Sequence, residues 1–372
     1  MRAGTHPPGL RPTWAEVDLR ALRRNLRAFG ARLGRGVKTL FVVKADAYGH
    51  GAAACAQDAQ AHRLCDWLGV SSVEEGASLR ARGVRLPILV LGSLYPFESF
   101  LVAARRGLTV TVASLSAAKS LAAAARGRGR RIACHLKIET GMNRIGMRPP
   151  AAAQAAEHLE RACPGSLTGL YTHLSSPQES PSYTRRQLAE FSRAVAAVSA
   201  RARGPLLRHA AASAAALRYP ESRWDMARPG LAVYGLYPGF EPVLSVKTRV
   251  VFLKTVPKGT AVGYGASFRT KRRTRLATLP IGYADGFLRA LSNKGSVLVR
   301  GRRCPVVGKI SMDMATIDVT RVPSTRVGDE AVVFGRQAGQ EVSVREAAAL
   351  AGVIPYEIPC GLTARVPRVY LS

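Results

Sequence analysis

Between residues 39 and 233 eight short apolar runs recur, and stretches rich in alanine and studded with arginine separate them. That alternation limits the possible folds more than any other feature of the chain. The runs are 39–43, 67–70, 87–91, 108–112, 131–138, 167–172, 206–210 and 225–233. Runs of this length without polar alternation read as strands buried on both faces. The segments between them, such as 114–126, 151–161 and 183–203, read as helices. Strand and helix in alternation predict a parallel sheet, and eight repeats predict a (β/α)8 barrel, with a doubly wound open sheet as the alternative. No G-x-G-x-x-G follows the first strand, which counts against a dinucleotide fold. Upstream, residues 12–17 read as one further strand. Asp18 follows as the N-cap of a helix whose apolar positions Leu19, Leu22, Leu26, Phe29 and Leu33 trace one face.

Past Pro242 the texture changes. Short β-rich runs at 243–256, 275–281, 296–299, 304–307, 314–319 and 330–334 are punctuated by Gly and Pro, with one helix at 344–351. The expectation is therefore an α/β chain: an N-terminal (β/α)8 TIM-type barrel over residues 1–241, then a mostly-β C-terminal domain over 242–372. Residues 12–17 are candidates to pair with that second domain. Two domains also suit 372 residues, since one core seldom grows past ~250–300 residues.

The net charge of +31 raises the question of a nucleic-acid partner. The longest basic runs, 126–131, 271–275 and 300–303, are short and carry no interleaved aromatics. No nucleic-acid-binding signature appears, so the charge reads as a dispersed arginine-rich surface. The six cysteines form no C-x-x-C pair, which argues against a zinc site or a disulfide framework. No apolar run approaches the ~20 residues of a membrane span, and the N-terminus has no apolar secretory segment. The expected location is the cytoplasm, with no membrane, nucleic-acid or metal partner.

In such a barrel chemistry belongs at the C-terminal ends of the strands. Lys44 lies at the end of the first strand, Lys137 near the end of the fifth, His173 at the end of the sixth, and Arg228 near the eighth. Lys44 has two readings. Burial at a strand end lowers the pKa of an amine toward Schiff-base chemistry, whereas a long side chain can also snorkel to water.

Several segments together resemble the alanine racemase family, pyridoxal-phosphate enzymes with a barrel followed by a β domain. They begin with Val43-Lys44-Ala45-Asp46-Ala47-Tyr48-Gly49-His50-Gly51 and His135-Leu136-Lys137-Ile138-Glu139-Thr140-Gly141-Met142-Asn143-Arg144-Ile145-Gly146. They continue through Tyr171-Thr172-His173-Leu174, Ala211-Ala212-Ser213-Ala214-Ala215 and Ala227-Arg228-Pro229-Gly230-Leu231. The second domain adds Val262-Gly263-Tyr264-Gly265, Ile281-Gly282-Tyr283-Ala284-Asp285-Gly286, Gly308-Lys309-Ile310-Ser311-Met312-Asp313 and Arg365-Val366-Pro367-Arg368-Val369-Tyr370.

The resemblance implies an enzyme that interconverts L- and D-alanine and so supplies D-alanine for peptidoglycan. It implies a homodimer with shared sites. Lys44 would hold the cofactor and act as the base on the D face, and Tyr264, from the neighbouring subunit, would serve the L face. Arg228 would face the cofactor ring nitrogen, with His173 orienting it. Tyr48, Ser213, Gly230, Leu231 and Tyr356 would receive the phosphate. Arg144 and Met312 would contact substrate, a guanidinium suiting a carboxylate by its bidentate geometry. Lys137, often carbamylated in the family, would steady Arg144, and Tyr283 and Asp313 would line the substrate entrance. Glu139, Ala212, Asn143 and Ser311 depart from the usual aspartate, asparagine, glycine and cysteine. A broad-specificity racemase, a barrel decarboxylase and a non-catalytic cofactor carrier are the competing assignments.

Overall fold

The apolar runs pair side by side in parallel. A computed structural model describes residues 10–128 and 131–372, so part of the 126–131 basic run and the first nine residues lie outside it. The strands are β1 (Thr13–Asp18), β2 (Lys38–Val42), β3 (Trp67–Val70), β4 (Ile88–Ser93), β5 (Thr109–Val112), β6 (Cys134–Lys137), β7 (Leu167–Tyr171), β8 (Leu207–His209), β9 (Met226–Ala227) and β10 (Leu244–Arg249). From β2 to β8 consecutive strands are neighbours, and β9 pairs with β2, giving the order β8-β7-β6-β5-β4-β3-β2-β9. Backbone bonds from Asp225 N to Arg208 O (3.0 Å) and from Arg228 N to Ala211 O (2.9 Å) draw the two ends together. The result is a nearly closed eight-stranded barrel with helices between its strands. Every residue of β5 and β6 is buried, as an apolar run covered on both faces requires.

Two expected strands are shorter than their apolar runs. The run 225–233 is strand only at Met226–Ala227, with one further bridge from Arg228 to Ala212, because Pro229 has no N–H to give and the chain then turns through Gly230 toward Gly235. The run 131–138 is strand only from Cys134 to Lys137.

By contact density the chain forms two units: one contains residues up to Leu22, Tyr48–Gly51 and Tyr234–Ser372, the other Arg23–Ala47 and Ala52–Val233. The second unit is the barrel. In the first unit β1 pairs antiparallel with β10 and parallel with Arg368–Leu371, within a seven-stranded sheet. The expected continuous run 243–256 divides in two. β10 joins that sheet, whereas Phe252–Val256 joins a separate three-stranded sheet with Thr274–Leu279 and Ala315–Asp318. At the switch Val250 N bonds Asp329 O and Val251 N bonds Thr278 O, so consecutive residues serve different sheets.

The helix Leu19–Leu33 starts as its sequence dictates: Asp18 Oδ1 accepts from the N–H groups of Arg20 (2.8 Å) and Ala21 (3.0 Å). Leu22, Leu26, Phe29 and Leu33 along its face are all buried. Among the described residues no helix is long and apolar enough to cross a membrane, and no His/Cys/Asp/Glu cluster could hold a metal ion.

Candidate active site

Lys44 follows β2 and opens a single helical turn, Lys44–Gly49, that is left-handed. Ala45, Asp46, Ala47 and Tyr48 have φ between 51° and 54°. L-residues resist this conformation by roughly 1–2 kcal/mol each, so the surroundings must hold it. Glu75 does much of this, its two carboxylate oxygens accepting from Ala45 N (2.8 Å) and Ser71 N (2.6 Å). Asp46 Oδ1 accepts from Ala52 N (2.7 Å), and Ala47 N donates to Val43 O (2.9 Å). The half-buried Lys44 amine is thereby carried on a backbone with little freedom.

Arg228 is almost completely buried in the barrel unit, 3% exposed. Its Nη1 donates to His209 Nδ1 (2.8 Å) and His209 O (3.1 Å). Its Nη2 donates to Thr172 O (2.8 Å), Ala210 O (2.9 Å) and His173 Nδ1 (3.3 Å). The terminal nitrogens are thus consumed by the protein. Nε–H alone has no hydrogen bond among the described residues. The guanidinium lies over the Tyr171 ring, 5.2 Å from its centroid, and Lys137 Nζ is 4.8 Å from the same ring. His209 stacks flat on Tyr171, with centroids 4.8 Å apart and planes 2° from parallel. Tyr171 is fixed in turn by Thr111 Oγ1 (2.8 Å) and Leu91 O (3.1 Å).

The electrostatics of this unit favour anions. Burial first, then Arg228 and Arg144, lower the Lys137 amine to about 7, with Glu139 pulling the other way. His173 is held well below its usual range by burial and then by Arg228, Lys137, Arg144 and Lys44. Burial lowers even Arg228 to about 10, though arginine stays protonated at any working pH. Arg144 sits on a loop that Glu139 organises by accepting from Gly141 N and from Asn143 N (2.7 Å). Asn143 has φ 53°, a conformation asparagine tolerates better than most residues, so it can stand where glycine is usual.

Ser213 begins the short helix Ser213–Arg218 and is buried. Its Oγ accepts from Gly230 N (3.1 Å) and Ala232 N (3.2 Å), which draws the 230–232 backbone against it. Between these two, Leu231 N–H has no hydrogen bond among the described residues. The barrel unit thus contains Lys44, Lys137, Arg144, His173, Ser213, Arg228, Gly230 and Leu231.

The other expected residues belong to the first unit. Tyr48 and Tyr356 come together there with ring centroids 5.8 Å apart, and Tyr234 lies 5.0 Å from Tyr48. Burial and then the neighbouring Tyr356 and Cys360 raise the Tyr48 phenol. Tyr264 is 70% exposed on a tight turn between Gly263 (φ 73°) and Gly265 (φ 68°). A Cβ added to Gly263 would lie 3.0 Å from Lys309 N, so this turn packs against the loop that leads to Met312. Tyr283 N donates to Ser311 O (3.1 Å) and Ala284 N to Met312 O (3.0 Å), which joins the Tyr283 and Met312 segments. Gly282 is essential to that approach, since a Cβ would fall 2.3 Å from both carbonyl oxygens. Asp313 pairs with Arg365 (2.7 Å). Ser311, in place of the usual cysteine, ties its own loop through Oγ to Met314 O (2.7 Å).

Sequence reasoning overlooked four contributors: Glu75, Tyr171, His209 and His135. The last two are histidines within barrel strands, fully buried, and that was the available signal. The residues matched by the models of "Alanine racemase, N-terminal domain" and "Alanine racemase, C-terminal domain" are 17–238 and 243–370. The alanine racemase of Symbiobacterium thermophilum is 44% identical, with 97% of this chain and 98% of that one covered; that of Desulfovibrio desulfuricans is 42% identical, covering 97% and 99%. Among solved structures, the alanine racemase from the D-cycloserine producer Streptomyces lavendulae superposes with a TM-score of 0.92 at 35% identity over 98% of both chains. The alanine racemase from Bacillus anthracis with bound L-Ala-P gives 0.91 at 33% identity, covering 98% of this chain and 96% of that one.

Proposed function

The chain belongs to the alanine racemase family, and we infer that it interconverts L-alanine and D-alanine on pyridoxal phosphate held in the barrel unit. Two features of that unit fit the cofactor. The buried Arg228 keeps one N–H donor uncommitted, as a ring nitrogen needs. Ser213 Oγ draws the backbone of Gly230 and Ala232 against it, which leaves the Leu231 N–H between them and the Ser213 hydroxyl as donors suited to a phosphate. When bound, the cofactor supplies the electron sink that makes the Cα proton of alanine removable.

The chain's own residues do the rest. Lys44 holds the cofactor through its amine and exchanges the Cα proton on the D face. Tyr264 serves the L face from a second copy of the chain, and its 70% exposure supports that role. Arg228 donates to the ring nitrogen without surrendering its proton, which keeps the sink weak and side reactions slow. Its terminal nitrogens are already taken by five acceptors, and this single arrangement carries the reading. Arg144 receives the substrate carboxylate, Met312 packs on the substrate, and Tyr283 and Asp313 line the approach. Lys137, its amine lowered to about 7 by burial, is neutral in a substantial fraction near neutral pH, and the neutral nitrogen can bond the carbon of CO2 and release a proton. The resulting carbamate would place an anion within the field of Arg144 and Arg228. We assign the enzyme to the cytoplasm, as a homodimer supplying D-alanine for peptidoglycan.

The test is spectroscopic and enzymatic. The purified protein should show the visible band of lysine-bound pyridoxal phosphate and racemise L-alanine, with L-serine, L-arginine and L-lysine far slower. Lys44→Ala should lose the band and the activity. Retention of the band would remove Lys44 from its role, and comparable rates on the basic amino acids would make the enzyme a broad-specificity racemase.

A further inference from the structure

Behind Arg228 the barrel contains a second histidine that the racemisation chemistry does not use. His135 on β6 and His209 on β8 are both fully buried. Their rings meet through His135 Nδ1 and His209 Nε2 at 2.9 Å. The donors and acceptors along this path follow from one fact: arginine can only donate. Arg228 Nη1 lies 2.8 Å from His209 Nδ1, so that nitrogen must carry the lone pair. His209, neutral, then has its proton on Nε2 and gives it to His135 Nδ1. His135 in turn has its proton on Nε2, which is buried and without a partner among the described residues. Burial, reinforced by Arg228, keeps both rings neutral, with His135 pulled down to about 3.

The fold makes room for this ring deliberately. In the register of β6, β7 and β8, His135 stands opposite Gly169, and Gly169 opposite Leu207. A Cβ on Gly169 would lie 2.8 Å from His135 Nε2 and Cδ2, so only glycine leaves the slot in which the imidazole sits. One step along, Lys137, Tyr171 and His209 share the next layer.

We propose that His135 is a positioning residue of the racemase: by accepting from His209 Nε2–H it fixes the His209 tautomer that holds Arg228 with Nε–H free for the cofactor ring. The proposal rests on the cofactor reading above only in its last clause. Without an acceptor at position 135, His209 can place its proton on Nδ1, where it opposes Arg228 Nη1 and turns the guanidinium.

The experiment uses purified holoenzyme labelled with nitrogen-15 at histidine. In the wild type both His135 and His209 should report the Nε2–H tautomer and show no titration between pH 5 and pH 9. A His209 protonated on Nδ1 overturns the proposal without any variant being made. His135→Gln retains a carbonyl acceptor and should keep the His209 signature, the visible band and kcat within about twofold. His135→Leu fills the space without an acceptor. It should shift the His209 nitrogens and the cofactor band, and lower kcat roughly tenfold with KM little changed. If a folded His135→Leu matches wild type in the His209 signals, band and kcat, His135 is packing only. If His135→Leu does not fold, the wild-type tautomer and the Gln variant decide the matter. A sample without the visible band refutes the cofactor reading instead, and leaves the tautomer result standing on its own.

Discussion

Lys137 offers a sharp physical prediction, because it is a cation in a place that disfavours one. It is 4% exposed, it faces Arg228 and Arg144, and only Glu139 offsets them. Its amine falls from 10.5 to about 7. Below pH 7 the amine is charged in both the folded and unfolded chain, and the folded state bears the full burial penalty. Between pH 7 and 10.5 the unfolded chain holds more protons, so stability rises with pH. Each pH unit in that window is worth about 1.4 kcal/mol, giving roughly 3 kcal/mol gained between pH 6 and pH 9. Lys137→Met keeps the length and volume without the charge. Denaturant unfolding followed by Trp67 and Trp224 fluorescence, in buffer free of carbon dioxide, should show this gain in wild type and not in the variant. Readmitting bicarbonate at pH 8 should stabilise wild type further and leave Lys137→Met unmoved. Parallel pH curves for the two chains would refute the deprotonated lysine and the carbamate with it.

Other perturbations follow from single interactions. Ser213→Ala leaves the buried N–H groups of Gly230 and Ala232 without their acceptor, and should weaken cofactor binding roughly tenfold or more in an equilibrium titration. Asp285 is fully buried and bonds Arg11 (2.6 Å), Arg365 (3.3 Å) and Gly282 N (2.9 Å). Burial alone would raise its carboxyl, but the Arg11 bonds outweigh it and hold the pKa below the usual range. Its stabilisation is therefore present above about pH 4 and lost as pH falls through the folded pKa. Asp285→Asn should cost about 3 kcal/mol at pH 7, with the difference from wild type closing in acid.

The barrel is legible in the residue pattern, and the places where that pattern misleads have physical causes. Apolar runs located the barrel strands because strands covered on both faces have no polar alternation to hide. The same signal overextended the run at 225–233, where Pro229 and the turn after it stop pairing, and fused 243–256, where the chain changes sheets inside a uniformly β-like stretch. Lys44 and Arg228 stood out because they fall near the C-terminal ends of apolar barrel runs, where such a fold carries its chemistry. The left-handed turn after Lys44 was not, since Ala45, Asp46 and Ala47 carry no mark of positive φ; Glu75, thirty residues away, supplies the reason. His135 and Lys137 alternate along one strand and so share a face, yet only the barrel register brings His209 opposite.

The proposed racemisation uses two bases on opposite faces of one carbon, Lys44 on the D side and Tyr264 on the L side. The direct measurement is proton NMR of alanine in D2O with the Tyr264→Phe variant. D-alanine should lose its Cα proton to solvent through Lys44 while forming almost no L-alanine, and L-alanine should be nearly inert. Exchange and racemisation at wild-type rates from both enantiomers would contradict it.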